Sequence, residues 1–214
     1  MNFLLRLISS IILLIIVYLS LNFKLLLILI LIIFCIISIR EWADLTKNYY
    51  FKFFGSFFII LSFLSVFILR SYDNGLGLFY IIFILTITVS SDVGGFVFGK
   101  LIKGKKLTKI SPNKTYAGVL GAYLLSIITS LNLFSYQNIF LISIELSYFK
   151  VVLIVFLLST VSQLGDLSIS YFKRKSNVKD TGTIIPGHGG LLDRIDGMIF
   201  VFPFFLIFLK IINI

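Results

Sequence analysis

Three aspartates stand beside apolar runs and have the residue type and spacing to bind a divalent cation. Asp166 follows one apolar run, and Asp193 and Asp196 open the next one, three residues apart. Residues three apart share a helix face, so these two are expected to point the same way, with Arg194 turned about 100° from Asp193. Mg²⁺ prefers carboxylate oxygens and leaves its other positions to water and substrate phosphates. The sequence predicts that Asp166, Asp193 and Asp196 bind Mg²⁺.

The same part of the chain supplies groups that bind phosphate. Basic side chains attract phosphate oxygens, and arginine can hold two of them at once. Glycines let backbone amides approach a ligand closely. With a Mg²⁺ site, these residues indicate phosphoryl or nucleotidyl transfer, in which positioning and charge neutralisation supply most of the rate. The basic residues are Lys173, Arg174, Lys179 and Arg194, and the glycines are Gly187, Gly189 and Gly190.

Two of these residues keep alternative interpretations. His188 is the only histidine, and it is either a general base, a phosphate donor, or a residue that satisfies backbone groups in a glycine-flanked turn. Asp193 is either a metal ligand, a helix cap, or the partner of Arg194 or Lys173. Acidic residues at the ends of membrane helices are costly and usually face a protein interior or a wet cavity, which favours a functional role.

Composition places these residues in a membrane protein. The chain is 59% hydrophobic and 13% charged, with a mean hydropathy of +1.09, far from the composition of soluble domains. Apolar runs long enough to cross a bilayer predict helices, since a β-barrel would show short alternating segments. Cys35 is the only cysteine, which excludes an internal disulfide and a cysteine-based metal site. We therefore expect an all-α, polytopic helical bundle in the lipid bilayer.

About seven transmembrane helices are expected from the apolar runs. A tight turn at Asn22–Lys24 separates the first two. The polar segment Arg40–Lys52 is interpreted as an interfacial connection with Trp42, Tyr49 and Tyr50 at headgroup level. The spans are placed at about Phe3–Leu21, Leu25–Ile39, Phe53–Leu69, Leu78–Ser90, Tyr116–Leu133, Val151–Leu164 and Leu192–Ile212.

The basic residues predict the orientation of these spans. With a cytoplasmic amino terminus, the outer segments hold only Lys24, Arg70, Lys150 and Lys210, which leaves 15 of the 19 Lys and Arg residues inside, as the positive-inside rule expects. Topology thus explains the net charge of +10 without nucleic acid. We predict a cell (inner) membrane protein with loops 91–115 and 166–190 in the cytoplasm. The chain is divided into amino-terminal helices, 1–77, and a catalytic region, 78–214.

A second glycine-rich stretch does not complete a phosphate-binding motif. The stretch Gly94–Lys100 fits the first part of a P-loop, but Leu101 replaces the metal-binding Ser or Thr and no strand is predicted before it. These glycines are expected to permit close packing or backbone contact instead.

The segment from Ser170 to Asp196, called the signature segment below, resembles the signature of phosphatidate cytidylyltransferases (CDP-diacylglycerol synthases). That signature reads S-x-hydrophobic-K-R, four residues, K-D, and then P-x-H-G-G-x-x-D-R-x-D. The resemblance extends to Gln163–Asp166, Ser111–Thr115 and Ser91-Asp92, and weakly to Glu41-Trp42. The residues that match without a gap are Ser170, Lys173, Arg174, Lys179, Asp180, Gly182, Pro186, His188, Gly189, Gly190, Asp193, Arg194 and Asp196.

The resemblance implies a Mg²⁺-dependent reaction of CTP with phosphatidate that gives CDP-diacylglycerol and pyrophosphate, and it leaves open a second cation and a homodimer. It implies catalytic roles for Asp166, Asp180, His188, Asp193, Asp196 and the signature cations Lys173, Arg174, Lys179 and Arg194. The nucleotide contacts are expected from Asp92, Ser111, Pro112, Lys114, Thr115, Gly189 and Gly190. Departures occur at Asn113, where the family has a second lysine, at Ala117, where it has a glutamate, and at Gly95-Phe96. The chain is also short for the family and is expected to lack some amino-terminal helices.

Two other functions are weighed against this one. A CTP-dependent polyprenol or phytol kinase would share the topology and metal site, but it would transfer the γ-phosphoryl group to an alcohol and would need an activating base. An ion-coupled transporter would place its carboxylates near the bilayer midplane between inverted repeats. Here the polar groups gather at one edge and no repeat is visible.

Overall fold

A computed structural model describes residues 2–72, 75–108, 111 and 114–212, without the side chains of Asn2, Phe3, Arg6 and Ile212. These residues form helices and short connections, with two isolated bridges as their only β-structure. The helices are α1 (Asn2–Asn22), α2 (Lys24–Leu45), α3 (Tyr49–Arg70), α4 (Leu76–Ile102), α5 (Tyr116–Ser135), α6 (Tyr148–Lys175), α7 (Leu192–Ile195) and α8 (Met198–Ile212), with a 3₁₀ turn at Gln137–Phe140.

Five of these helices, α2 to α6, are long and apolar enough to cross a membrane. The apolar stretches Leu7–Asn22 and Met198–Ile211 are shorter. Large apolar side chains are exposed along these helices, for example Leu25 at 80%, as expected where lipid replaces water. The all-α prediction is confirmed for a multi-pass membrane protein, while the count of seven spans stays a prediction.

Two helices continue well past the apolar runs that identify them. Helix α4 includes Ser91–Ile102 and α6 includes Asp166–Lys175, so loops beginning at residues 91 and 166 were wrong predictions. Polar residues do not end a helix by themselves. Helix α4 ends where Lys103 and Gly104 adopt positive φ, 59° and 101°, and three basic residues in the last turn of α6 favour its continuation.

Two other predicted spans also have different bounds in the structure. Helix α2 runs to Leu45, so the connection before α3 is shorter than Arg40–Lys52. Trp42 is 5% exposed and its indole donates to the Phe51 carbonyl at 2.9 Å, so it packs within the protein, and its position at headgroup level stays a prediction. The predicted seventh span is interrupted between α7 and α8. Gly197 lies at this break, where a Cβ would meet the Ser162 hydroxyl at 2.5 Å.

The chain forms two compact units, divided differently from the predicted 1–77 and 78–214. Unit 1 comprises Met1–Phe67 and Phe172–Asp196. Its residues include α1, α2, most of α3, α7 and nearly all of the signature segment. Unit 2 comprises Ile68–Tyr171 and Gly197–Ile214, and it includes α4, α5, most of α6 and α8.

Aromatic side chains pack together in unit 1, whereas two helices pack closely through glycines in unit 2. In unit 1, Trp42 and Phe51 both make edge-on contacts with Phe172, with ring centroids 4.8 and 5.4 Å apart. In unit 2, α4 packs along α5 through glycines. A Cβ on Gly94 would collide with the Gly121 carbonyl, which confirms that this glycine permits close helix packing.

Candidate active site

The signature segment folds as the end of α6 followed by a loop that internal backbone hydrogen bonds hold in place. After α6, Asn177 turns the chain with a φ of 56°. Further on, the Ile185 amide donates to the Gly189 carbonyl and the His188 amide to the Ile185 carbonyl, both at 2.9 Å. Gly187 and Gly189 have φ of 78° and 88°, a region that side-chain-bearing residues rarely adopt. These glycines therefore shape a tight turn that presents His188.

The side chain of Asp193 is buried and accepts hydrogen bonds from three donors. Its Oδ1 accepts from Lys173 Nζ at 2.7 Å, and its Oδ2 accepts from the amides of Thr181 and Gly190 at 2.8 and 3.0 Å. The side chains of Asp193 and Lys173 are 4% and 12% exposed. The alternative in which Asp193 pairs with Lys173 is thus confirmed, and the pair joins the end of α6 to α7.

Glu41 on α2 also binds the signature segment, a role that sequence reasoning missed. Glu41 is 4% exposed. Its Oε1 accepts from the Leu191 amide at 2.9 Å, and its Oε2 accepts from the Leu192 amide at 2.8 Å and the Thr181 hydroxyl at 2.9 Å. The available signal was an acidic side chain close to the end of a very apolar run, because such residues are costly there without a partner.

His188 contacts the first helix of the chain. Its Nδ1 lies 2.7 Å from the Ser9 hydroxyl oxygen and its Nε2 lies 3.4 Å from that of Ser10. Arg194 Nη2 donates to the His188 carbonyl at 3.0 Å. The described contacts of both ring nitrogens are to side-chain hydroxyls, so the interpretation in which His188 satisfies backbone groups and the two catalytic interpretations all stay predictions.

The remaining charged groups of the segment differ in exposure. Arg174, Lys179, Asp180 and Arg194 are exposed, whereas Asp196 is 9% exposed. Exposed cations can reach a phosphate in solution or at a membrane surface. A buried aspartate such as Asp196 makes its contacts within the protein.

Unit 2 contains a polar cavity of about 270 Å³. Two carboxylates, a lysine and several hydroxyls face it. Asp166 Oδ2 lies 2.5 Å from Lys114 Nζ, and both side chains are about one-quarter exposed, at 27% and 26%. Ser170 donates to Asp166 Oδ1 at 3.2 Å. The residues that line the cavity are Ser91, Asp92, Gly95, Phe96, Ser111, Lys114, Thr115, Gly118, Val119, Ala122, Gln163 and Asp166.

A short hairpin and a helix cap position one wall of this cavity. The Leu107 amide donates to the Lys114 carbonyl at 2.8 Å and the Tyr116 amide to the Lys105 carbonyl at 3.2 Å. Thr115 caps α5 by accepting from the Gly118 amide at 3.1 Å. The backbone around Lys114 is therefore fixed from both sides.

The structure groups the predicted residues by unit. The polar cavity of unit 2 brings together Asp92, Ser111, Lys114, Thr115 and Asp166. Pro112 and Asn113 lie outside the described residues. Unit 1 holds Lys173, Arg174, Lys179, Asp180, His188, Gly189, Gly190, Asp193, Arg194 and Asp196.

The metal site stays a prediction. Within each unit, the described residues hold no group of three or more His, Cys, Asp or Glu side chains placed to bind one ion. Asp166 belongs to unit 2, whereas Asp193 and Asp196 belong to unit 1.

Five helices among the described residues, long and apolar enough to cross a bilayer, define the class, that of multi-pass integral membrane proteins. The particular family follows from comparison with known sequences. The profile of the Cytidylyltransferase family matches residues 46–212, so the chain belongs to this family.

Its relatives include proteins named phosphatidate cytidylyltransferase. The one from Staphylococcus haemolyticus is 41% identical over 128 residues, which cover 59% of this chain and 47% of the relative. Those from Staphylococcus epidermidis and Staphylococcus aureus are 42% and 40% identical over the same length, with the same coverage of both chains. The chain thus spans about half the length of the curated relatives it matches.

Proposed function

We propose that this protein is a phosphatidate cytidylyltransferase that makes CDP-diacylglycerol and pyrophosphate from phosphatidate and CTP. The observation that carries the proposal is the gap-free match of the signature segment. Membership of the Cytidylyltransferase family and the names of the relatives support it.

The proposed reaction is a nucleophilic displacement at phosphorus. An oxygen of the phosphatidate phosphate forms a bond to the α-phosphorus of CTP, and the bond from that phosphorus to the bridging oxygen of pyrophosphate breaks. Phosphate monoesters have a second pKa near 6, so the attacking oxygen is largely ionised at neutral pH and needs no strong base. The chief barrier is to bring two polyanions together, which calls for cations rather than for a general base.

The residues of each unit suit this chemistry. The exposed side chains of Arg174, Lys179 and Arg194 can neutralise phosphate oxygens. The polar cavity offers Lys114 for phosphate, and hydroxyl and carboxylate groups for the polar edges of a nucleotide. We assign nucleotide contacts to Asp92, Ser111, Lys114 and Thr115.

Mg²⁺ is the proposed cofactor. Asp92 and Asp166 face one cavity and supply the hard oxygen atoms that Mg²⁺ prefers, so Asp166 fits the predicted role. Asp166 and Asp193 both already have partners on each oxygen. Asp166 pairs with Lys114 and accepts from Ser170. Asp193 accepts from a lysine and two amides, so it would give up more bonds to bind the ion. When bound, the ion would neutralise charge on the reacting phosphates.

The proposed location is the cell membrane, with the reacting groups on the cytoplasmic side. The excess of Lys and Arg in the predicted inner segments supports this orientation. A homodimer remains a prediction.

The test uses purified protein with phosphatidate, Mg²⁺ and CTP labelled at either the α or the γ phosphorus. We expect label to enter lipid from the α position only. Label that enters from the γ position only would identify a CTP-dependent lipid kinase and overturn the proposal. Absence of transfer from both positions, in protein that elutes as a single folded species, would overturn both enzyme assignments.

A further inference from the structure

We infer that Glu41 is a positioning residue, which holds the backbone of the signature segment in the arrangement that presents its cations to phosphate. Glu41 lies before residues 46–212, which the family profile matches. The catalytic part of this inference rests on the proposed function, whereas the structural part does not.

The contacts of Glu41 join two separate stretches of the signature segment. Thr181 belongs to the first stretch, and Leu191 and Leu192 belong to the second. A Cβ on Gly182 would lie 2.7 Å from Glu41 Oε1, and a Cβ on Gly190 would lie 2.6 Å from Oε2. Both glycines therefore leave room for the carboxylate.

Glu41 and Asp193 bind the same two stretches from different positions. Thr181 donates its amide to Asp193 and its hydroxyl to Glu41. In the second stretch, the Gly190 amide donates to Asp193, and the amides of Leu191 and Leu192 donate to Glu41. The Arg194 amide donates to the Leu191 carbonyl at 2.9 Å, so the backbone position of Arg194 depends on these bonds. Without Glu41, the bonds of Asp193 to the amides of Thr181 and Gly190 still join the two stretches.

The carboxylate form of Glu41 is required because both of its oxygens accept. All three donors are uncharged, and they approach both Oε1 and Oε2. A glutamine has nearly the same volume but replaces one oxygen with an NH₂ group. Whichever oxygen it replaces, that NH₂ group would face a backbone amide, so two hydrogen-bond donors would oppose each other. Glu41→Gln is therefore a sharp test, because it changes hydrogen bonding without opening a cavity.

Two measurements on the full chain test the inference. Hydrogen–deuterium exchange of peptides covering residues 181–192 reports local order without reference to activity. Steady-state kinetics give KM for CTP and for phosphatidate. Because hydrogen bonds to a charged group are among the stronger ones, we expect Glu41→Gln to speed exchange and to raise at least one KM, each by about ten-fold or more.

Glu145→Gln is the matched control, since Glu145 is exposed and lies in the other unit. It should leave both exchange and KM unchanged. If Glu41→Gln exchanges like the unmodified protein, the inference is wrong. It is also wrong if the maximal rate falls while both KM values stay constant, because that result indicates a smaller folded fraction and not displaced cations.

Thr181→Val provides a second, milder variant. It removes one donor to Glu41 and leaves the carboxylate in place, so we expect changes in the same direction but smaller. Should Glu41→Gln fail to fold, unchanged exchange and unchanged KM in Thr181→Val would overturn the inference. If the unmodified protein transfers no cytidylyl group, the exchange data still decide the structural role of Glu41, and only the proposed function fails.

Discussion

At the scale of single residues, the aspartates of the signature segment differ in their surroundings. Asp193 is buried, paired with Lys173 and bonded to two amides, whereas Asp180 is exposed. The sequence assigns both to the catalytic set, and only Asp193 to the metal site, but it does not indicate which of the two is buried. Because its side chain is buried and paired with Lys173, we expect Asp193 to contribute to the stability of the protein as well as to the proposed chemistry.

Asp193→Asn should destabilise the protein as well as impair turnover. The change leaves the partly buried ammonium of Lys173 without its anionic partner, and breaking a buried pair of this kind costs up to about 3 kcal/mol. The midpoint of thermal unfolding in detergent measures this loss. Asp180→Asn is the matched control, expected within about 0.5 kcal/mol of the unmodified protein because the side chain is exposed. Equal midpoints for the two variants would contradict the buried pair.

At the scale of elements, the helices extend beyond their apolar portions and carry the polar groups. Asp92 lies in α4 and Asp166 lies in α6, so both are held on rigid elements and not in loops. The close packing of α4 on α5 places one wall of the polar cavity beside the glycines of both helices. The shape of this cavity therefore depends on small residues.

Gly94→Ala and Gly95→Ala should differ sharply, although the two glycines are neighbours. A Cβ on Gly94 would collide with the backbone of α5, whereas the nearest atom among the described residues to a Cβ on Gly95 would be the Gly118 carbonyl oxygen, at 3.8 Å. Overpacking of this kind costs about 1–3 kcal/mol, so Gly94→Ala should lower the unfolding midpoint and Gly95→Ala should not. A similar fall in both variants would show that the helices do not pack as described.

At the scale of the whole molecule, chain order and compact units do not coincide. The carboxyl-terminal signature segment joins the unit of the amino-terminal helices, and α8 joins the unit of α4 and α5. Glu41 is the clearest result of this arrangement, because it meets residues that lie 140 to 151 positions later in the chain.

The proposed orientation can be tested with single cysteines in a Cys35→Ser background. Lys105 and Ser143 are exposed and lie in connections on opposite sides of α5 in the chain. A membrane-impermeant maleimide should label Ser143→Cys in intact cells, and Lys105→Cys only after permeabilisation. The reverse pattern would place the polar connections outside and overturn the proposed cytoplasmic site.

The sequence by itself determined the helical class and the family, and five residues that it predicts for the site, Asp92, Ser111, Lys114, Thr115 and Asp166, line the polar cavity. These predictions follow from local properties, because the length of an apolar run predicts a membrane helix and the signature residues lie close together in the chain. The ends of α2, α4 and α6 were not predictable, because polar residues inside a helix resemble those of a loop. Only the tertiary structure decided the pairing of Asp193 with Lys173 and the role of Glu41. Both depend on which distant backbone amides and side chains meet, and no spacing along the chain records that.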